Sequence, residues 1–201
     1  MKGLALLTGL ATLLFTVTVF TPAEAAGNRY FDGRIGKWVT MGSHGGSSRR
    51  SSVQRREVDY QTKYRPGTII INTAERRLYY VLPEGRAIRY GIGVGRDGFQ
   101  WSGSHRITRK AEWPGWTPPK VMIERERRKG RILPAYMPGG IDNPLGARAL
   151  YIGSTIYRIH GTNQPWTIGG AVSSGCIRLT NNDVEHLYER VRVGARVVVK
   201  R

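Results

Sequence analysis

The chain has 201 residues, with 32 Lys and Arg against 14 Asp and Glu, a formal charge of +18. That excess draws polyanions, so nucleic acid, anionic lipid and an acidic cell wall are the partners to weigh. With no paired cysteines and no basic, aromatic ribbon of the RNA-binding kind, nucleic acid drops out, and a single cysteine excludes an internal disulfide.

Lys2 stands ahead of an apolar run over residues 3–20, and Ala23-Glu24-Ala25 follows as a small-residue cleavage pattern. Residues 1–25 therefore read as an export signal cut after Ala25. The competing reading is an uncleaved membrane anchor, because the run approaches the roughly 18 residues that span a bilayer. No other segment is apolar and long enough to cross. Residues 26–65 are polar, basic and rich in Gly and Ser without a sustained apolar period, which predicts a flexible basic arm. Its Arg49, Arg50, Arg55 and Arg56 are either solvated linker charges or contacts for an anionic polymer. Residues 66–201 remain for one folded domain.

Beyond Pro66-Gly67, "TIIIN" and "RLYYVL" are β-branched and aromatic runs split by "TAE", the pattern of a hairpin. After the turn "PEGR", "AIRYGIGVG" supplies a third strand. The glycines of "GIGVGRDG" invite a dinucleotide loop, but "FQWSGSHRIT" continues as strand or loop and no helix follows, so that reading is rejected. Residues 110–148 are long, irregular and punctuated by Pro and Gly, the mark of a functional loop such as a lid, with a short helix within "VMIERERRKG". Trp116 and Tyr136 in this loop either wall a substrate groove or cap the core. Strand resumes in "ALYIG" and "YRIHG". "TNNDVEHLYERV" is the clearest helix, capped by Thr180 or an asparagine, with Val184, Leu187, Tyr188 and Val191 on one face. "GARVVVK" closes the domain as a strand. The domain is mainly β, with one or two short helices and no internal repeat.

A lone thiol in an exported chain is either an inert buried group or a reactive one. The setting of Cys176 in "SSGC" favours reactivity. A thiolate nucleophile needs a base or positive field, and donors for the oxyanion that forms when it attacks a carbonyl. Gly175 admits unusual backbone angles, so the N–H groups of Gly175 and Cys176 can face one point, and the helix that follows brings its positive end near. Among the histidines, His44 lies in the arm, His186 sits on the helix beside Glu185 and Glu189, and His105 has no nucleophile nearby. His160 ends a strand, and the segment after it is short enough to loop back to Cys176. One thiol and scattered histidines make no ligand set, so neither a metal nor an organic cofactor is implied.

With "IHGTNQPWTIGGAVSSGCIRLTNNDVEHLYERV" in view, the chain resembles the L,D-transpeptidase (YkuD-type) catalytic domain family over about residues 67–200. "AEWPGWTPP", "MPGG" and "NPLGARALYIG" are similar to its Gram-negative, long-loop branch. The resemblance implies a β-sandwich of the L,D-transpeptidase type with a long active-site lid loop. It implies Cys176 as nucleophile, His160 as general base, the Gly161 carbonyl as the group orienting the imidazole, and Gly175 and Cys176 N–H as the oxyanion hole. Ser174 stands where many members carry histidine, and its hydroxyl is left to bond substrate. Arg178 either steadies the turn or meets a substrate carboxylate. The chain also reads "WSGSHRI" where many members have a "TPxG" segment.

The activity so implied is periplasmic. Cys176 attacks the diaminopimelate–D-Ala amide of a tetrapeptide stem in peptidoglycan and releases D-Ala. An amine of another stem then resolves the thioester to a 3→3 cross-link, or an outer-membrane protein serves as acceptor. The alternatives are an L,D-carboxypeptidase or link-cleaving hydrolase of the same fold, and a non-catalytic basic cell-wall-binding protein. A papain-like protease is excluded by order, since there the cysteine precedes the histidine.

Overall fold

The computed structural model describes residues 29–32, 37–40, 53–96 and 101–201. Strands β1 (Arg29–Asp32) and β2 (Lys37–Thr40) form an antiparallel hairpin of their own. The expected export signal lies outside the described residues, as do Arg49 and Arg50.

The main body runs β3 (Arg56–Asp59), β4 (Ile69–Asn72), β5 (Arg77–Val81), β6 (Arg86–Gly91), β7 (Val94–Gly95), β8 (Gly103–Glu112), α1 (Lys120–Arg127), β9 (Arg148–Ile152), β10 (Arg158–His160), β11 (Ala171–Ser173), β12 (Ile177–Arg178), α2 (Asn181–Arg190) and β13 (Arg196–Lys200). Nine of these strands form one sheet in the order β12-β10-β9-β8-β13-β4-β5-β6-β3, while β7 pairs with β11. The sheet does not lie flat. One core cluster joins Ile177 of β12 to Leu78 of β5 and Tyr90 of β6, strands far apart in the ladder, together with Val184, Leu187 and Val191 from α2 and its end. A backbone bridge between Gly93 and Arg178 ties β12 to the β6–β7 link. The expected sandwich is thus a single sheet folded over on its own core.

Local chemistry explains the elements. The run Ile69-Ile70-Ile71 is buried throughout because Ile69 and Ile71 face the main core while Ile70 faces a second cluster with Tyr79, Val81 and Ala87. A strand covered on both faces reads as a continuous apolar run rather than an alternation. β8 pairs with β13 along its first part and with β9 along its second, and a register shift between Ile107 and Arg109 marks the change of partner. In α2, the Thr180 side chain caps the helix by accepting the Asp183 N–H at 3.1 Å. Among the described residues, no helix is long and apolar enough to cross a membrane.

One boundary moves. From the sequence, the flexible arm extends to residue 65; instead, residues 56–59 form β3, the edge strand beside β6. Arg55, expected in the arm, reaches α2, where Nη1 donates to Asp183 Oδ1 at 2.9 Å. The signal is faint because an edge strand touches the core along one side only, so of "REVD" Val58 alone packs inward.

Candidate active site

β10 and β12 bring the two candidate groups together. They pair in parallel, Ile159 opposite Ile177 and His160 opposite Arg178. Ile159 and Ile177 point into the main core. Side chains alternate along a strand, so His160 and Arg178 share the other face, and Cys176, directly ahead of β12, falls on it too. His160 and Cys176 thus come from the ends of two adjacent strands, with Cys176 two residues ahead of the Arg178 that pairs with His160. Across the sheet His160 meets Ala149, whose small side chain leaves room for the ring.

His160 is only 3% exposed. Its Nδ1 lies 2.6 Å from the Gly161 carbonyl oxygen. A carbonyl only accepts, so Nδ1 carries the proton and Nε2 of the neutral ring carries the lone pair. Burial pushes the pKa down to about 3; the Arg178 charge adds to this, and the Gly161 and Leu145 carbonyls oppose it. The ring is therefore held uncharged at neutral pH.

The turn before β12 is built around Ser173. Its Oγ accepts the Gly175 N–H at 3.1 Å and donates to the Cys176 carbonyl at 2.6 Å. Gly175 has φ 105°, a left-handed conformation that favours glycine. The Gly175 N–H is thus already spent within the turn, which leaves the Cys176 N–H, unbonded among the described residues, as the donor available to an oxyanion. The thiol leads into a strand rather than into α2, and Thr180 caps that helix. Cys176 is half-buried, with Sγ 4.0 Å from the Ile156 carbonyl oxygen.

Two positioning groups escape sequence reasoning. Trp101 donates its indole N–H to the Gly175 carbonyl at 2.8 Å. Asn181, the first residue of α2, accepts the N–H groups of Ala147 and Thr162 with one oxygen, at 3.0 and 3.1 Å, and sits against Gly161 so closely that no side chain fits there. It fastens the loop after His160 to the helix. Substituting Asn181 by alanine orphans two N–H groups on buried residues, which costs about 2 kcal/mol and lowers Tm by roughly 5–10 °C in a domain of this size. Aspartate keeps the acceptor and recovers most of the loss, as thermal melts will show.

The remaining candidates divide. Arg178 is half-buried beside Cys176, and its guanidinium forms no hydrogen bond or ion pair among the described residues. The Ser174 hydroxyl is buried and unpartnered among them. Trp116, at 8% exposure, packs with Met137 and Leu145 in a small core of the 110–148 loop. Tyr136 is 59% exposed, with its hydroxyl over Gly115. In the same loop, burial pushes the Glu126 carboxyl up, but bonds from Arg131 and Arg125 outweigh it and hold the group below its ordinary value.

A family profile, the L,D-transpeptidase catalytic domain (YkuD), matches residues 66–199. The chain belongs to this family. The probable L,D-transpeptidase YbiS of Escherichia coli is 47% identical over 135 residues, covering 64% of this chain and 43% of that protein. The probable L,D-transpeptidase ErfK/SrfK of the same species is 43% identical over 134 residues, covering 65% and 43%. The chain therefore spans less than half the length of these curated relatives. The solved Ldtfm-avibactam carbamoyl enzyme shares the fold at 17% identity and a TM-score of 0.50, over 69% of this chain and 50% of that one.

Proposed function

We propose that the chain is a cysteine-dependent L,D-transpeptidase that acts on peptidoglycan stem peptides in the periplasm after export by residues 1–25. The observation that carries this reading is the uncharged, carbonyl-oriented His160 on the sheet face of Cys176. Cys176 Sγ attacks the carbonyl carbon of the diaminopimelate–D-Ala amide while its proton passes to His160 Nε2. The tetrahedral oxyanion takes a hydrogen bond from the Cys176 N–H. On collapse the C–N bond breaks, His160 returns the proton to the departing D-Ala amine, and a thioester remains. An amine of a second stem attacks the thioester, gives its proton to His160, and forms the new amide as the thiol is regenerated. That step gives a 3→3 cross-link; an amine on an outer-membrane protein gives a protein–peptidoglycan link by the same chemistry.

The Arg178 guanidinium, without an ion pair among the described residues, supports an anionic substrate, with a stem carboxylate as its partner and the buried Ser174 hydroxyl as a further donor. Tyr136 is exposed on the lid loop and open to substrate. The test is incubation of the purified chain with disaccharide tetrapeptide, followed by mass spectrometry. Loss of alanine with dimer formation supports transpeptidation. Loss of alanine alone converts the assignment to an L,D-carboxypeptidase. No loss of alanine, together with no covalent mass shift from a carbapenem, overturns the enzyme reading and leaves a basic wall-binding protein.

A further inference from the structure

Trp101 stands where many family members carry a "TPxG" segment, and its contacts converge on the peptide bond ahead of the thiol. The indole N–H donates to the Gly175 carbonyl at 2.8 Å. The ring stacks on Tyr157, centroids 4.6 Å apart and planes within 3°, and meets His105 edge-on at 5.4 Å. Tyr157 in turn follows Ile156, whose carbonyl lies 4.0 Å from Cys176 Sγ. The indole is thus held by the Tyr157 stack and the edge-on His105 contact while its single donor is aimed at one carbonyl.

The Gly175 C=O and the Cys176 N–H belong to one planar trans peptide unit, in which the two bonds point in opposite directions. Whatever holds the carbonyl therefore aims the N–H. Glycine at φ 105° exerts little preference of its own over that plane, because without a Cβ it rotates freely between basins. The neighbouring Ser173 hydroxyl holds the Gly175 N–H and the Cys176 carbonyl, which belong to the peptide units on either side of this one. The orientation of the central unit is left to Trp101.

We propose that Trp101 is a positioning residue that presets the Cys176 N–H as the oxyanion donor by pinning the Gly175 carbonyl from the far side of the peptide plane. This rests on the transpeptidase reading for its kinetic consequence, but its structural consequence is measurable without turnover. An oxyanion donor that is already aligned costs no reorganisation in the transition state, so its loss lowers kcat more than it raises KM.

The experiment compares the parent chain with Trp101→Phe, which keeps an aromatic ring beside Tyr157 but removes the N–H together with the five-membered half of the indole, and with Tyr157→Leu, which removes the stack that steers the indole while leaving its N–H. In Trp101→Phe, amide hydrogen exchange in the segment 173–177 rises about 5- to 10-fold, the size of one lost neutral hydrogen bond, while exchange in β4, β5 and β13 is unchanged. With disaccharide tetrapeptide, kcat falls about tenfold and KM stays within about twofold. Alkylation of Cys176 by iodoacetamide, which passes through no oxyanion, keeps its rate. Tyr157→Leu moves exchange and kcat in the same direction by less. Unchanged exchange at 173–177 in Trp101→Phe overturns the proposal whether or not the parent turns over. So does a kcat equal to that of an active parent, or a loss of kcat matched by an equal loss of alkylation. A parent chain that releases no alanine sinks the functional reading instead, and the exchange result still decides the role of Trp101.

Discussion

Replacing Cys176 with alanine lowers alanine release from a tetrapeptide stem by at least ~10³-fold and abolishes the covalent mass shift from a carbapenem. The fold survives. The thiol is half-buried, and among the described residues its hydrogen-bond contact is the 4.0 Å approach to the Ile156 carbonyl, so its removal orphans no buried partner there and opens little space. Tm should stay within roughly 2 °C of the parent, as for a substitution outside the packed core. The combination matters, because a loss of activity accompanied by unfolding would say nothing about the nucleophile. Residual turnover above about 1% of the parent rate would transfer the chemistry to another group.

Replacing His160 with glutamine has the second-largest effect, and it reads out twice. Alanine release falls by about 10³-fold as the general base is lost. The second readout is stability against pH. Burial, with the Arg178 charge behind it, carries the imidazole from its ordinary 6.5 down to about 3 in the folded chain, against the pull of the Gly161 and Leu145 carbonyls. In the unfolded chain the same ring titrates near 6.5. Between those values the unfolded state binds the extra proton and the folded state does not, so stability falls as pH falls. The contribution of His160 is complete above pH 6.5 and is lost progressively below it, toward pH 3. Melting curves at pH 7.5, 6, 5 and 4 should show the parent losing Tm through this window and the glutamine variant losing less. Parallel slopes would remove His160 as the buried neutral group. For the same reason the acid limb of kcat/KM in the parent should lie below pH 6.5, since the ring stays unprotonated there.

Much of this molecule is visible in local patterns. The "TIIIN" and "RLYYV" runs, the capped "TNNDVEHLYERV" helix and the closing "RVVVK" strand appear as β4, β5, α2 and β13. Their residues carry their own signal, β-branched where the chain is extended and i, i+3, i+4 apolar where it coils. The two groups at the centre of the candidate site were visible by type, a lone cysteine after glycine and a histidine at a strand end. What escaped were the groups that hold them. Asn181 looked like one of several caps, yet its oxygen ties the loop after His160 to the helix. Trp101 looked like a departure from the family pattern, yet it reaches the peptide bond of Cys176. Arg55 looked like one more arm charge, yet it pairs with Asp183 across the fold. Gly175 was expected to lend its N–H to an oxyanion, while its neighbour Ser173 takes that N–H.

By itself the sequence determined the family, the mainly β class, the opening hairpin, the capped helix and the closing strand, and the chemical types at the site, because each follows from short-range periodicity or from a contiguous motif. Only the tertiary structure decided that β3 joins the sheet edge, that Trp116 packs with Met137 and Leu145, and that the strand ending at His160 runs parallel to the strand just after Cys176. Those outcomes depend on the register between strands and on side chains meeting through space from distant parts of the chain. A one-residue slip between β10 and β12 would put His160 opposite a different residue than Arg178 without changing a single letter of the sequence.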